Sequence, residues 1–306
     1  MANPILRRMW SLAQPALEWA AGLEALAAKY EKAAVESTVE GFLSRILLEL
    51  DIGWDSSDLD LARIPRAGGC VLVANHPFGA IEGIVLASML RGVRKDVKLL
   101  ANYLLARIEP LRELMVFVDP FGGPGSAASN LSALRDAVRF LRKGGLLAVF
   151  PAGEVAHWDR KTGKIVDPPW SPGLARLVRL AEVPALAVHF AGQNGPLFQA
   201  AGMVHPRLRT ALLPRELLNK KGRQVDVRVG AVIPHRKLAA FTSDTEMVDY
   251  LRNRTAILGQ RRPAASRSFE DRLRSMAKPA MTALALRTAP RLPVADPVAP
   301  ELLVKE

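Results

Sequence analysis

VLVANHPFGAIEG, residues 71–83, is an apolar run that ends in Asn75-His76, turns through Pro77 and Gly79, and carries Glu82 on the far side. Val71 to Ala74 is short, continuous and apolar. That pattern fits a strand buried on both faces. Pro77 and Gly79 break it, and Ile81 to Leu90 then reads as a helix. The stretch therefore delivers a histidine into a turn and places a carboxylate on the next element. A histidine held by a carboxylate at a strand end can take a proton from a hydroxyl or amine near neutral pH. A lone histidine is more often satisfied in a loop. A second motif near residue 150 argues for the catalytic reading.

Working outward, the same alternation repeats. Val97 to Leu100 and Leu114 to Val118 are strand-like, and Ser126 to Leu141 is helical after the Gly122-Gly123-Pro124-Gly125 turn, with Ser126 or Ser129 as its cap. Leu146 to Phe150 reads as a strand, Pro172 to Leu180 as a helix, and Val183 to Phe190 as a strand. Val225 to Val229 and Thr245 to Leu258 close the series as strand and helix. Strands alternating with helices predict an α/β fold, with a mostly parallel or mixed central sheet flanked by helices. Upstream, Leu12, Ala16, Trp19, Leu23, Leu26 and Tyr30 form one apolar stripe, and Val35, Val39, Phe42, Ile46 and Leu50 another. These predict an N-terminal helix pair. The expected division is a helical pair over 1–52, a catalytic domain over 53–261, and a basic, Pro/Ala-rich, partly disordered tail over 262–306.

Composition narrows the function. The chain has 306 residues, 49 % of them hydrophobic, so it can bury a substantial core. Its formal net charge of +12 favours anionic partners such as nucleic acid, a phospholipid surface or an acidic carrier protein. Nucleic-acid binding predicts aromatics interleaved with basic residues. Aromatics make up only 6 % and are scattered singly, so no nucleic-acid partner is expected. Cys70, the single cysteine, allows no intramolecular disulfide and fits a reducing cytoplasm. No signal peptide and no apolar run of about 18 residues is apparent, so membrane contact is expected at the surface only. Leu273, Met276, Ala277, Ala280, Met281 and Leu284, flanked by Arg272, Arg274, Lys278 and Arg287, form a stripe suited to an anionic membrane, or, with Pro279 interrupting it, a solvated linker.

The second motif is VFPAGEVAHW, Val149 to Trp158. A strand again ends, Pro151 and Gly153 make a tight turn, and Glu154 and His157 follow. In open α/β sheets, ligands bind beyond the carboxyl ends of the strands. Two such strand ends suggest one shared site. A third strand end, VPALAVHFAGQN at Val183 to Asn194, runs into a Gly turn. His189 and His205 lack metal-ligand spacing, and a single cysteine makes no thiolate cluster, so no metal is expected. Arg207, Arg209, Arg215, Lys220, Lys221 and Arg223 form a basic segment that reads as a solvated face, or as a docking surface for an acidic carrier or lipid headgroups. A G-x-S-x-G nucleophile elbow is missing, which argues against an acyl-enzyme hydrolase.

Taken together, ANHPFGAIEG, FVDPFGG, FPAGEV, WSPG at Trp170 to Gly173, VPALAVHFAGQN and LLPRELLNKKG at Leu212 to Gly222 resemble the PlsC-type glycerolipid and lysophospholipid acyltransferases. The resemblance spans Tyr30 to Leu258 and is strongest to bacterial hemolysin-like acyltransferases, some of which make aminolipids. It implies His76 as general base and Glu82 as its carboxylate, with five residues between them where the superfamily usually has four. It implies substrate contacts from Asn75, Phe78, Gly79, Phe150, Pro151, Gly153 and Glu154. The family's usual arginine in the FPEGTRS motif is Val155 here, so Arg160, or Lys161, is the expected replacement for its charge. No permanent cofactor is implied. The co-substrate is an acyl carrier protein or coenzyme A thioester, and the acceptor a lyso-lipid.

The expectation is therefore an acyltransferase that moves a fatty acyl group from such a thioester to a lyso-lipid. It would act from the cytoplasm, peripherally on the inner face of the cell membrane. The competing expectation is a basic lipid- or nucleic-acid-binding protein without catalysis. Whether His76 and Glu82 come within hydrogen-bond reach separates catalysis from a lipid-binding module on the same fold.

Overall fold

The computed structural model describes residues 22–102, 106, 108–118 and 126–261. All lie in a compact unit spanning Met1–Ser266, and a second unit, Arg267–Glu306, falls outside the described residues. The stripe through Leu273 and Met281 belongs to that outer segment, as the Gly122–Gly125 turn and the first half of the Leu12–Tyr30 stripe fall in other gaps.

Helix α1 (Leu23–Ala33) and α2 (Val39–Leu50) come first. The Thr38 side chain caps α2 by accepting the Gly41 N–H at 3.1 Å. Its stripe buries Val39, Phe42, Leu43, Ile46, Leu47 and Leu50. Strand β1 (Ile52–Asp55) and the short α3 (Asp58–Leu61) follow. Then come β2 (Cys70–Ala74), α4 (Ala80–Arg91), β3 (Val97–Asn102), a 3-10 turn at Glu109–Leu114, β4 (Met115–Val118), α5 (Ser126–Arg142) and β5 (Leu146–Val149). A hairpin of β6 (His157–Asp159) and β7 (Lys164–Val166) precedes α6 (Gly173–Ala181) and β8 (Ala185–Phe190). Three short helices, α7 (Pro196–Val204), α8 (Pro206–Ala211) and α9 (Leu213–Leu218), lead to β9 (Arg223–Ile233), α10 (His235–Ala239) and α11 (Asp244–Leu258).

The α/β expectation holds. Seven strands form one sheet in the order β1-β9-β8-β2-β5-β3-β4. All pairings are parallel except β8 with β9. Helices cover both faces: α5, α6, α10 and α11 on one, α2, α4 and α9 on the other. This double cover explains why the strands read as unbroken apolar runs. Val71 and Val73 enter the core shared with Leu174, Val178 and Leu251, and every residue of β2 is buried. Truncating such a side chain, Leu72→Ala for instance, removes about 2–5 kcal/mol.

The differences from expectation lie in short elements. β1 and the β6–β7 hairpin have three or four residues per strand, too few to show a period. The last strand is longer than Val225 to Val229, because Arg223–Asp226 pair with β1 and the residues from Val227 to Ile233 pair with β8.

β9 also anchors the final helix. Arg228 donates to the carbonyls of Leu258 (3.1 Å) and Gly259 (2.9 Å) at the C-terminal end of α11. His189 sits opposite Arg228 in the β8–β9 ladder. Burial, together with the Arg228 charge, pushes its pKa down from 6.5 to about 4. His189 thus stays neutral in the folded protein where the unfolded chain would protonate it. Its contribution is fully present above pH 6.5 and is lost as pH falls toward 4. Urea unfolding of the His189→Gln protein is expected to lose less stability than the parent between those limits, by on the order of 2–3 kcal/mol.

Candidate active site

The three chemistry-bearing segments meet because β2 pairs in parallel with both β5 and β8. Val73 stands opposite Val149 on one side and Ala187 on the other. Parallel strands end at the same edge, so Asn75-His76, Phe150-Pro151 and Ala191-Gly192 leave the sheet side by side. Asn75 locks this edge. Its Nδ2 donates to the Phe190 carbonyl at 2.9 Å, and its Oδ1 accepts the Phe190 N–H at 2.7 Å. The Ala156 N–H donates to the His76 carbonyl at 2.8 Å, joining the FPAGEV turn to the histidine turn.

Gly79 starts α4 with φ of +111°, a backbone conformation that L side chains rarely adopt. The sharp entry puts Glu82 in the first helical turn, fully buried, where its Oε1 accepts the Phe78 N–H at 2.5 Å. A glutamate at the third helical position reaching back to an N–H before the helix is capping-box chemistry. The same oxygen lies 3.4 Å from His76 Nδ1. The five-residue spacing thus brings the two groups to ion-pair distance through the Pro77–Gly79 turn, while His76 Nδ1 and Glu82 Oε2 are buried without a hydrogen-bond partner. The imidazole stacks on Phe150, with ring centroids 4.6 Å apart and planes at 26°, and its side chain is 17 % exposed. One edge of the ring thus faces a buried carboxylate while the group as a whole remains reachable from solvent.

Asp167 was not singled out from the sequence, yet it supports the histidine. Its Oδ1 accepts the His76 backbone N–H at 3.2 Å and its Oδ2 accepts the Trp170 indole N–H at 3.2 Å. Arg252 donates to its carbonyl at 2.7 Å. Burial raises the Asp167 pKa, partly opposed by those hydrogen bonds. The only sequence signal was its place ahead of Pro168-Pro169-Trp170, which marks a turn and not a partner.

The residues expected to contact substrate occupy distinct places. Asn75 is engaged with Phe190, as described. The Phe78 ring is buried under Gly192, whose φ is +131° and where an added Cβ would lie 2.3 Å from Phe78 Cζ. Phe150 backs the imidazole, and Pro151 accepts the Ser171 N–H at 2.9 Å. Gly153 donates its N–H to the Phe150 carbonyl at 3.1 Å, closing the turn, so that N–H is already engaged. Glu154 is exposed and bonded to Arg209 at 2.7 Å. Arg160 is exposed and donates to the Met203 carbonyl at 3.0 Å.

The basic segment corrects its reading as a solvated face. Arg207, Arg215, Lys221 and Arg223 are exposed, but Arg209 and Lys220 are buried. Lys220 Nζ meets Glu216 at 2.9 Å and donates to Asn194 Oδ1 at 3.1 Å, and it lies 5.4 Å over the Phe78 ring. Asn194 in turn donates to the Phe78 carbonyl at 3.0 Å, and Glu216 accepts the Gly195 N–H at 2.9 Å. This network holds the histidine turn from below. Among the described residues no group of three His, Cys, Asp or Glu side chains is arranged to hold a metal ion, and no helix is long and apolar enough to cross a membrane.

Removing one partner of a buried ion pair leaves the other uncompensated. Lys220→Met is expected to lower the unfolding free energy by about 3–5 kcal/mol, and adding Glu216→Gln should recover part of it. Urea denaturation of the single and double variants measures both.

Two curated relatives match the chain. One is a lyso-glycine lipid O-acyltransferase of Phocaeicola vulgatus, 25 % identical over 57 % of this chain and 62 % of that protein. The other, with the same name, is from Bacteroides thetaiotaomicron, 24 % identical over 63 % of this chain and 71 % of that protein. The chain thus spans less than two thirds of the length of the first. A solved 1-acyl-sn-glycerophosphate acyltransferase, PlsC of Thermotoga maritima, overlays with a TM-score of 0.47 at 20 % identity, covering 74 % of this chain and 80 % of that one. The sequence model of the Acyltransferase family matches residues 38–264, which include the whole sheet and every residue of the site, and the chain belongs to that family.

Proposed function

We propose that the protein transfers a fatty acyl group from an acyl thioester to the hydroxyl of a lyso-lipid, with His76 as general base and Glu82 as its orienting carboxylate. The observation that carries this is the 3.4 Å approach of His76 Nδ1 to the buried Glu82 at the shared edge of β2, β5 and β8. In a binding protein without catalysis Glu82 would serve only to accept the Phe78 N–H, and its approach to His76 would be unused.

Neutral His76 accepts the hydroxyl proton at Nε2 as the acceptor oxygen attacks the thioester carbonyl. Glu82 holds Nδ1–H and offsets the charge of the imidazolium. The tetrahedral intermediate collapses with cleavage of the C–S bond, and the imidazolium returns its proton to the departing thiolate. Ester and free thiol are the products, and no protein nucleophile is used. The thioester belongs to acyl carrier protein or coenzyme A.

The family arginine missing at Val155 argues against a phosphatidate-type acceptor. A lyso-aminolipid is favoured, in keeping with the names of the relatives. Arg209, held by Glu154 at the turn, brings a guanidinium to this end of the sheet, and a planar fork of donors suits a carboxylate or phosphate. Such an acceptor lies in a bilayer, so the protein is read as peripheral to the inner face of the cell membrane.

With labelled acyl donors and a panel of lyso-aminolipids and lysophosphatidic acid, products read by mass identify donor and acceptor. His76→Ala is expected to lower turnover by roughly 10²–10⁴-fold with unchanged thermal unfolding. Glu82→Gln should lower it less. Full activity in folded His76→Ala protein would sink the assignment.

A further inference from the structure

Next to the FPAGEV turn the molecule exposes an apolar strip that the catalytic reading does not use. Helix α7 turns Phe198 and Gln199 inward and leaves Leu197, Met203 and Val204 outward, and α8 adds Leu208 and the hairpin adds Trp158. These five side chains are between 41 % and 78 % exposed. Single exposed apolar residues are ordinary on any surface, but five on two adjoining helices and the hairpin fastened to them, with a tryptophan among them, mark contact with something apolar.

The strip is one built surface. The Trp158 N–H donates to Gln199 Oε1 at 2.9 Å, and Arg160 donates to the Met203 carbonyl at 3.0 Å, so the hairpin and α7 are fastened together. Arg209, on α8, reaches Glu154 at 2.7 Å and fastens the strip to the turn whose Ala156 bonds the His76 carbonyl. Its rim is basic. Arg160, Lys161, Lys164, Arg207 and Arg215 are all exposed. Of the nearby acids, Glu154 is paired with Arg209, and Asp159 accepts the Lys161 N–H at 2.9 Å and the Thr162 hydroxyl at 3.0 Å.

We propose that this strip is the surface by which the protein rests on an anionic phospholipid bilayer. Apolar side chains and a tryptophan enter the headgroup boundary, and the surrounding cations meet lipid phosphates. The partner follows from charge and from the reaction, so the inference rests on the lyso-lipid reading given above. An acceptor drawn from the bilayer then enters beside the strip, next to the histidine turn, without crossing water. A second hollow, of about 660 Å³ between α5 and α6, is also apolar and basic, with Leu131, Leu134, Leu180, Arg135, Arg139 and Arg176 among its residues. It lies where these helices run back toward the strand starts, away from the site, and serves as the control.

Cys70 is buried and its thiol is pushed up to about 12, so it resists labelling in the folded chain. Met203→Cys and Arg135→Cys proteins, each of full length, can therefore carry an environment-sensitive fluorophore at one chosen place. With phosphatidylcholine vesicles containing phosphatidylglycerol, the probe at 203 is expected to shift to the blue and brighten several-fold. The probe at 135 should not change, and vesicles of phosphatidylcholine alone should give a weaker response at 203. The proposal is overturned if the protein fails to float with anionic vesicles, or floats without a change at 203. It is equally overturned if the change occurs at 135 instead. A blue-shifted probe at 203 before any lipid is added would also overturn it, by showing that another segment or a second copy covers the strip. Acyl transfer to a short-chain, water-soluble acceptor is read separately. Its absence beside a full response at 203 would remove the catalytic reading and leave the surface standing.

Discussion

Parallel pairing of β2 with both β5 and β8 is the constraint on which the rest of the molecule depends. It puts three strand ends at one edge, and only there can residues far apart in the chain converge. Parallel strands need crossover helices, and those helices cover both faces of the sheet. The covered sheet buries β2 completely, which makes its register costly to shift. Asn75 then fixes the exit of β2 against the exit of β8 through both backbone groups of Phe190. The histidine turn begins from a position with little freedom left.

Around that turn the molecule accumulates buried and half-buried carboxylates, each with at least one hydrogen-bonded oxygen, while His76 Nδ1 and Glu82 Oε2 are left without a hydrogen bond. Glu82 takes the Phe78 N–H, Asp167 takes the His76 N–H and the Trp170 indole, and Glu216 takes Lys220 and the Gly195 N–H. Burial of charge is unfavourable unless it is compensated in this way. The groups form no apolar core and add little by area. They restrict the turn from three sides, by α4, by the segment before α6, and by α9. An imidazole meant to meet a substrate proton within about 3 Å benefits from such restriction more than from flexibility.

Much of the fold was legible in the residues. The strands at Val71 to Ala74, Leu146 to Val149 and Ala185 to Phe190 showed as continuous apolar runs because both their faces are covered. Helices α2, α5 and α11 showed by their apolar period, and the Ser243 cap, accepting the Glu246 N–H, stops α11 at its N-terminus. The hairpin of β6 and β7 and the helices α7 to α9 were not legible. Elements this short carry no full period, and Pro196, Pro206 and Pro214 break the region into pieces. The charges of Arg209 and Lys220 looked like a wet surface, because a lysine in isolation normally is one.

What the sequence by itself determined is the local chemistry: a strand running into His76, a turn forced by Pro77 and Gly79, and a glutamate on the helix after it. Each follows from side-chain size, backbone freedom and apolar period, which are properties of neighbours in the chain. What only the tertiary structure decided is which groups meet. Asp167 beneath the His76 backbone, Asn194 and Lys220 beneath Phe78, and Arg209 on Glu154 are pairings across 91, 116, 142 and 55 residues. No local pattern encodes them, because hydrogen bonds and ion pairs depend on distance in space. That distance was set by the parallel order of three strands.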